Sequence, residues 1–411
     1  MHFSLDYDVI IIGAGAAGLL AAARAAECGK RALLLEKNRK PGVKILMSGG
    51  TRCNITHATD AAGIVQAFGK QGRFLHSALA ALSPAKLVEL IEAEGVATKI
   101  EATGKIFPVS NRAADVLEAL LRRSRLRNIE LATNEPVQSI TKNDHQNSFQ
   151  VETSQRTLKA QSVILTTGGR SYPGCGTTGD GYAWAKSFGH KIIPPRPALV
   201  PITSGESWIA DLKGITIPDV EVRVVDPAIG RKKPLDVRRD SFLLTHFGLS
   251  GPAVLDVSRE VTGHIQPQSL QLHCDFLPEI GLEQLHQKMK QLFQSQGAKQ
   301  IANVHLEELP ARLWATMLAL SGIEARYRAA ELDKKSLNRL VDHLKATTIA
   351  IAGTRGFKKA EVTAGGVDLR EVDSRTMQSK LVEGLFFAGE ILDIDGPIGG
   401  YNFQAAFSTG W

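Results

Sequence analysis

The chain of 411 residues has little sulfur and no long greasy stretch. Its four cysteines, Cys28, Cys53, Cys175 and Cys274, are scattered, with no CxxC pair among them. That spacing argues against a disulfide scaffold and against a zinc site, and it suits a reducing cytoplasm. No apolar run approaches the ~18 residues that a membrane helix needs. The opening MHFSLDYDVIIIG has no basic region and no cleavage site, so it reads as the approach to a strand and not as a signal peptide. Internal repeats and low-complexity tracts are also lacking. A 43% hydrophobic and 22% charged composition is that of a globular protein, and the length calls for two or three domains.

Charge is the one composition feature with a direction. The formal net charge is +7, and cations cluster at LRRSRLR (121–127) and GRKKPLDVRRD (230–240). Such a surplus is either solvated surface or the footprint of a polyanionic partner, and composition does not choose between them.

The order of patterns predicts a discontinuous α/β architecture. DVIII, then GAGAAG, an Ala-rich helix ending near Cys28–Gly29, and RALLLE ending at Glu36 make a βαβ unit. SPAKLVELIEAEG (83–95) and NRAADVLEALLRRS (111–124) read as capped amphipathic helices. Two alternating, strand-like stretches follow and end at Gly168–Gly169. The Pro-rich run 192–201 reads as a crossover. Residues 200–275 read as strands with turns, 281–347 as helices, and LVEGLFFAGEI as a returning strand. The expected division is 1–194 with 351–411, a β-rich insertion at 195–278 and a helical insertion at 279–350.

Gly13, Gly15 and Gly18 form GxGxxG between a strand and a helix. The first permits the tight turn, the second lets a pyrophosphate reach the backbone, and the third lets helix and strand pack closely. Glu36 at the end of the second strand is placed to bind the ribose hydroxyls of an adenosine nucleotide and would repel a 2′-phosphate. FAD and NAD share these needs. The segment LFFAGEILDIDGPIGGYNFQAAFSTG (385–410) separates them, because an extended FAD needs a second anchor and a positive helix end near its ring. Glu390 supplies the first and Gly399–Gly400 opens the second. FAD is the expected cofactor.

The stretch KILMSGGTRCNITH (44–57) then reads as a backbone cradle in the loop after the second strand. A dithiol reductase would carry a second cysteine about five residues beyond Cys53, and position 58 is Ala58. His57 and Cys53 are too few ligands for a metal. The residues expected at the cofactor begin with Gly13, Ala14, Gly15, Ala16, Ala17 and Gly18, then Glu36, Lys37 and Lys44. Ser48, Gly49, Gly50, Arg52, Cys53 and Asn54 follow from the cradle, and Val137 from a later strand. Thr167, Gly168, Gly169, Tyr172, Asp180 and Gly181 come from a third Gly-rich stretch. Gly389, Glu390, Gly399, Gly400, Tyr401 and Asn402 close the set. Cys53 is either a small lining residue or a proton donor, and His246 in THFGLSGP is either a structural hydrogen-bonder or an acid.

Taken together, DVIIIGAGAAGL, KILMSGGTRCNIT, FPVSNRAADVLEALL, TTGGRSYPGCGTTGDGY, LTHFGLSGPAVL and FAGEILDIDGPIGGYNFQAAFSTG resemble the YhiN/BaiN-like family of FAD-dependent oxidoreductases, of the glutathione-reductase-like class. The motifs span the chain. Thr51 departs from the family's usual third glycine, and family members usually continue beyond the position of Trp411. The resemblance implies a Rossmann-like FAD-binding domain with an inserted β-barrel-like domain and a helical domain. It also implies reduction of a conjugated C=C bond with non-covalent FAD and NAD(P)H as a transient reductant, since a second GxGxxG is lacking. Three readings stand at this point: reduction of uracil in ribosomal RNA, reduction or oxidation of a small-molecule enone or amine, and a flavin-containing RNA-binding protein without turnover. On the first, Arg231, Lys232, Lys233, Arg238 and Arg239 are expected to track phosphates.

Overall fold

The computed structural model describes residues 5–125, 127, 129–229 and 233–411. It divides into two compact units, residues 1–197 with 361–411, and residues 198–360.

In the first unit, Tyr7–Ile12 is the centre of a sheet. It pairs in parallel with Ala32–Glu36 on one side and Thr157–Leu165 on the other. Glu130–Thr133 extends one edge in parallel, and Leu385–Phe387 returns from the far end of the chain to pair with Thr157–Leu165. An antiparallel pair, Ser148–Thr153 and Val137–Asn143, completes the other side. Residues 9–12 and 32–35 of the central strands are continuously apolar because both faces are covered. Ile10, Ile12, Leu33 and Leu35 enter one core, while Val9, Ile11, Ala32 and Leu34 enter the other. Each fully buried side chain of this size contributes ~1.5–3 kcal/mol. This pairing carries the glycine turn, the end of the second strand and the end of Leu385–Phe387 to the same edge of the sheet.

The second unit is built on an antiparallel sheet. Its order runs Thr347–Ala350, Gln271–Asp275, Thr216–Val225, Asp236–Thr245, Gly248–Ser250, Ile202–Thr203, Gly353–Thr354. The two outermost strands are separated in the chain by Ile351 and Ala352 alone, so the sheet curls until its edges nearly meet. That is the barrel-like form the family resemblance implies.

Three expectations need correction. The β-rich and helical insertions are one unit, because Phe242, Val222 and Leu272 of the sheet share a core with Met289, Trp314 and Leu340 of the helices. Residues 351–360 belong to that unit, whereas 195–197 stay with the first because Ile192–Ala198 pairs with Val362–Val367. Finally, PAVLDVSREVTG within the stretch read as strands is a helix, Pro252–Gly263. Pro252 occupies its first turn, where a missing N–H costs nothing, and Val254, Val257 and Val261 face inward at helical spacing.

Candidate cofactor site

The three glycines of the first turn meet three different demands. Gly13 has φ +106°, and a Cβ there would lie 2.7 Å from the Thr166 carbonyl oxygen. A Cβ on Gly18 would lie 1.8 Å from the Gly13 carbonyl oxygen, so strand and helix could not approach. A Cβ on Gly15 would meet no protein atom within 4 Å. Its openness is of no use to the fold and is what a close ligand requires. The helix Ala16–Glu27 starts at Gly15 with neither a side-chain cap nor an acid in its first turn, so its N–H groups and positive end are left for an anion.

Glu36 ends the second strand, buried. Its Oε2 accepts a hydrogen bond from the Ala14 N–H at 2.9 Å and its Oε1 one from the Asn38 N–H at 2.8 Å. Burial pushes its carboxyl above the ordinary range, and the two N–H bonds oppose that shift. A carboxylate has about four acceptor positions, so two remain for a ribose. Replacing Glu36 with Ala should weaken FAD binding by about 1–3 kcal/mol, read as a five- to 150-fold rise in Kd by flavin fluorescence.

Ile12, Gly13, Leu35, Val137, Thr167 and Asp180 line a small cavity of about 60 Å³. Lys37 at its margin bonds Thr178 Oγ1 and Asp180. Thr167 Oγ1 is buried with no hydrogen-bond partner, and so are Asn54 Oδ1 and the Tyr182 hydroxyl. Orphans of this kind cost ~1–3 kcal/mol each unless a ligand or water satisfies them.

A second knot draws on residues far apart in the chain. Lys44 pairs with Glu390 at 2.5 Å, and Glu390 Oε1 accepts from the Thr363 N–H at 2.8 Å. Thr363 Oγ1 in turn accepts from the Arg170 and Ser171 N–H groups. A Cβ on Gly169 would sit 2.3 Å from Thr363 Oγ1 and 3.0 Å from Glu390 Oε1, so only glycine fits between them. Nothing in the sequence reading marked Thr363. Its signal was the VTAGGV strand, whose adjacent glycines 365 and 366 both have positive φ. Gly389 at the end of Leu385–Phe387 also has positive φ, and Gly168 and Tyr172 share that conformation in the third Gly-rich stretch. A Cβ on Gly181 would meet Thr167 Oγ1 at 2.2 Å.

The stretch 44–57 is not the plain loop expected. Val43–Met47 is helical, and the turn then breaks through Ser48 (ψ 153°), Gly49 (φ 55°) and Gly50 (φ 65°). It runs against the start of the last helix, Tyr401–Gly410. Gly400 (φ 98°) caps that helix, and a Cβ on it would be 2.6 Å from the Thr56 carbonyl. His57 stacks on Tyr401 with ring centroids 4.7 Å apart, and its Nδ1 lies 3.1 Å from the Gly399 carbonyl oxygen. The carbonyl can only accept, so Nδ1 carries the proton. His57 is a further residue that sequence reasoning passed over once a metal role was excluded.

Other expected residues have partners within the chain. Arg52 pairs with Glu101 at 2.6 Å and covers the Phe107 ring at 4.0 Å. The Asn402 side chain ties Gly396 and Pro397 together. Cys53 is fully buried in an apolar core, and burial pushes its thiol up to about 12. A thiol that holds its proton so firmly is a poor acid at neutral pH. His246 lies on an exposed turn of the second unit, edge-on to Phe247. Of the four cysteines only Cys28 is exposed. Native protein should therefore consume one equivalent of Ellman's reagent per chain, and the rest only after denaturation.

Several cations of both basic clusters are held within the chain. Arg123 pairs with Glu27 and Glu94, Arg127 with Glu27, and Arg125 with Glu118. Three arginines in the last turn of Ala113–Arg125 also suit the negative end of that helix. Arg238 pairs with Asp236, and Arg239 with Asp219 and Glu279. Arg231 and Lys232 lie outside the described residues; Lys233 is exposed. Among the described residues no group of three or more His, Cys, Asp and Glu could hold a metal ion, and no single helix is long and apolar enough to cross a membrane.

A parallel sheet with a glycine turn, an acid ending the second strand and a glycine-capped returning helix defines a Rossmann-type FAD-binding fold. Residues 7–411 match the HI0933-like protein Rossmann domain, and the chain belongs to that family. It is 34% identical over 405 residues to the ribosomal RNA dihydrouridine synthase of Escherichia coli (strain K12), covering 98% of this chain and 96% of that one. It is 31% identical over 417 residues to the 3-dehydro-bile acid delta(4,6)-reductase of Clostridium scindens, with the same coverage. Among solved structures, the open conformation of a flavocytochrome c3 fumarate reductase matches with a TM-score of 0.50 at 17% identity, over 99% of this chain and 77% of that one, a likeness of fold.

Proposed function

We propose that this chain is an FAD-dependent oxidoreductase that reduces the C5=C6 bond of uracil in ribosomal RNA to dihydrouridine, with NAD(P)H as a transient electron donor. The single observation that carries the reading is end-to-end similarity to a protein of that activity, combined with a site whose glycines and orphaned polar atoms fit a dinucleotide. Bound there, FAD would supply the hydride for an activated double bond, the chemistry common to uracil and an enone.

The chain's own residues bind and orient. Gly15 and the start of Ala16–Glu27 receive the pyrophosphate, and Glu36 takes the ribose. Thr363, Glu390 and Lys44 form the second anchor. The start of Tyr401–Gly410 favours negative charge placed before it. None of these groups forms a covalent link in this reading. Acid precipitation should release all flavin to the supernatant, and colour left in the pellet would refute non-covalent binding.

The similarity to a bile acid reductase favours a second reading, in which the substrate is a small conjugated enone. Comparative nucleoside mass spectrometry of ribosomal RNA from wild-type and deletion cells separates them. Loss of dihydrouridine on deletion, restored by the gene, supports the first; an unchanged level leaves the enone. A cytoplasmic setting accords with either.

A further inference from the structure

Arg123, Arg125, Arg127, Arg238 and Arg239, which sequence patterning marks for RNA, are held in ion pairs, whereas a second set of cations beside an aromatic pair is not. We propose that the turn Thr245–Gly248 and the strap 353–359, both in the second unit, form a surface that grips single-stranded RNA. This rests on the RNA reading above.

Arg355 places its guanidinium carbon 4.4 Å from the centroid of Phe247, and exposed His246 stands edge-on to the same ring with centroids 5.0 Å apart. Lys358 and Lys359 follow on the strap, both exposed. Among the described residues, none of Arg355, Lys358 and Lys359 is held in an ion pair. Glu361 follows Lys359 by two residues without an ion pair to it, and Glu206 on the adjoining segment is engaged by the Trp208 indole and the Ala350 N–H.

The backbone beneath is fixed before any partner arrives. Arg355 N–H donates to the Pro201 carbonyl at 3.0 Å, Ala352 N–H to Thr203 at 2.9 Å, and Ser204 N–H to Phe247 at 3.2 Å. Gly248, with φ +141°, lets the turn close on Ile202, where a Cβ would meet the carbonyl oxygen at 2.3 Å. Gly356 (φ +60°) turns the strap, and its carbonyl oxygen accepts from the N–H groups of Lys359 and Ala360. The cations are thus mounted on rigid chain, which lowers the ordering cost of binding.

Three cations beside an aromatic pair suit a single strand better than a duplex. Phosphates follow the cations, while an unstacked base lies on a ring or a guanidinium plane, as base chemistry demands. A protein partner with an acidic segment would use the cations but has no need of the exposed His246 ring beside half-buried Phe247.

The test compares binding of an unmodified uridine-containing RNA strand of about 20 nucleotides by holoenzyme variants at several salt concentrations. The triple variant Arg355→Glu, Lys358→Glu, Lys359→Glu should raise Kd by roughly 30-fold or more and flatten the log–log salt slope by about 2, from roughly −0.7 per lost contact. Phe247→Leu should raise Kd roughly tenfold with the salt slope unchanged, as expected for lost stacking. Arg238→Gln with Arg239→Gln should bind as wild type does. Flavin content and melting temperature report folding independently. Wild-type binding with undiminished affinity in the triple variant would overturn the surface and leave the RNA reading standing. Absence of salt-sensitive RNA binding by wild type would overturn both.

Discussion

Gly18→Ala should cost the first unit about 3 kcal/mol or more, because a methyl group would have to occupy space 1.8 Å from the Gly13 carbonyl oxygen and 2.6 Å from Thr166 Oγ1. The first of these is backbone and has nowhere to retreat, since Gly13 is itself pressed against Thr166. In a unit of this size the loss should lower Tm by roughly 6–12 °C, and the purified protein should be almost colourless. Gly15→Ala provides the contrast. Its methyl group meets no protein atom, so flavin-free protein should melt as wild type does while FAD affinity falls at least about tenfold, because the pyrophosphate loses its approach. Equal Tm losses in the two variants would show that the second glycine serves the fold and not a ligand.

Gly400→Ala should be the other severe change. At φ 98° the backbone is in a region that side chains rarely occupy, and the Cβ would lie 2.6 Å from the Thr56 carbonyl. Strain and overlap together should cost about 3 kcal/mol. The damage has two directions to spread. It moves the start of Tyr401–Gly410, whose Gln404 bonds Thr56 at 2.5 Å, and it loosens the His57–Tyr401 stack. Differential scanning fluorimetry should show the Tm loss, and equilibrium dialysis an FAD affinity reduced at least about tenfold. A variant that melts and binds FAD as wild type does would mean that the cap has no part in the site.

The glycine turn, Glu36 and the Gly399–Gly400 cap were legible because each is local chemistry: strand, turn and helix start lie within a few residues of one another. The knot around Thr363 was not, because it joins Lys44 and Glu390 across most of the chain and nothing nearby in sequence marks the threonine. Distance in sequence also hid the ion pairs. Arg123 reads as a free cation in LRRSRLR until the fold brings Glu27 and Glu94 to it. Conversely, Lys358 and Lys359 are an unremarkable pair in the sequence, and only the fold sets their strap beside Phe247. Cys53 drew attention as a reactive type, yet it is fully buried in an apolar core and its thiol is held protonated.

The central claim is best tested by one anaerobic experiment. Holoenzyme reduced by light, with no nicotinamide present, is mixed with an equimolar amount of ribosomal RNA from cells that lack the protein, and the RNA is digested for nucleoside mass spectrometry. The account predicts new dihydrouridine, approaching one per reduced flavin. RNA that returns with its uridines untouched, while the same reduced protein saturates the double bond of a conjugated enone, would contradict it.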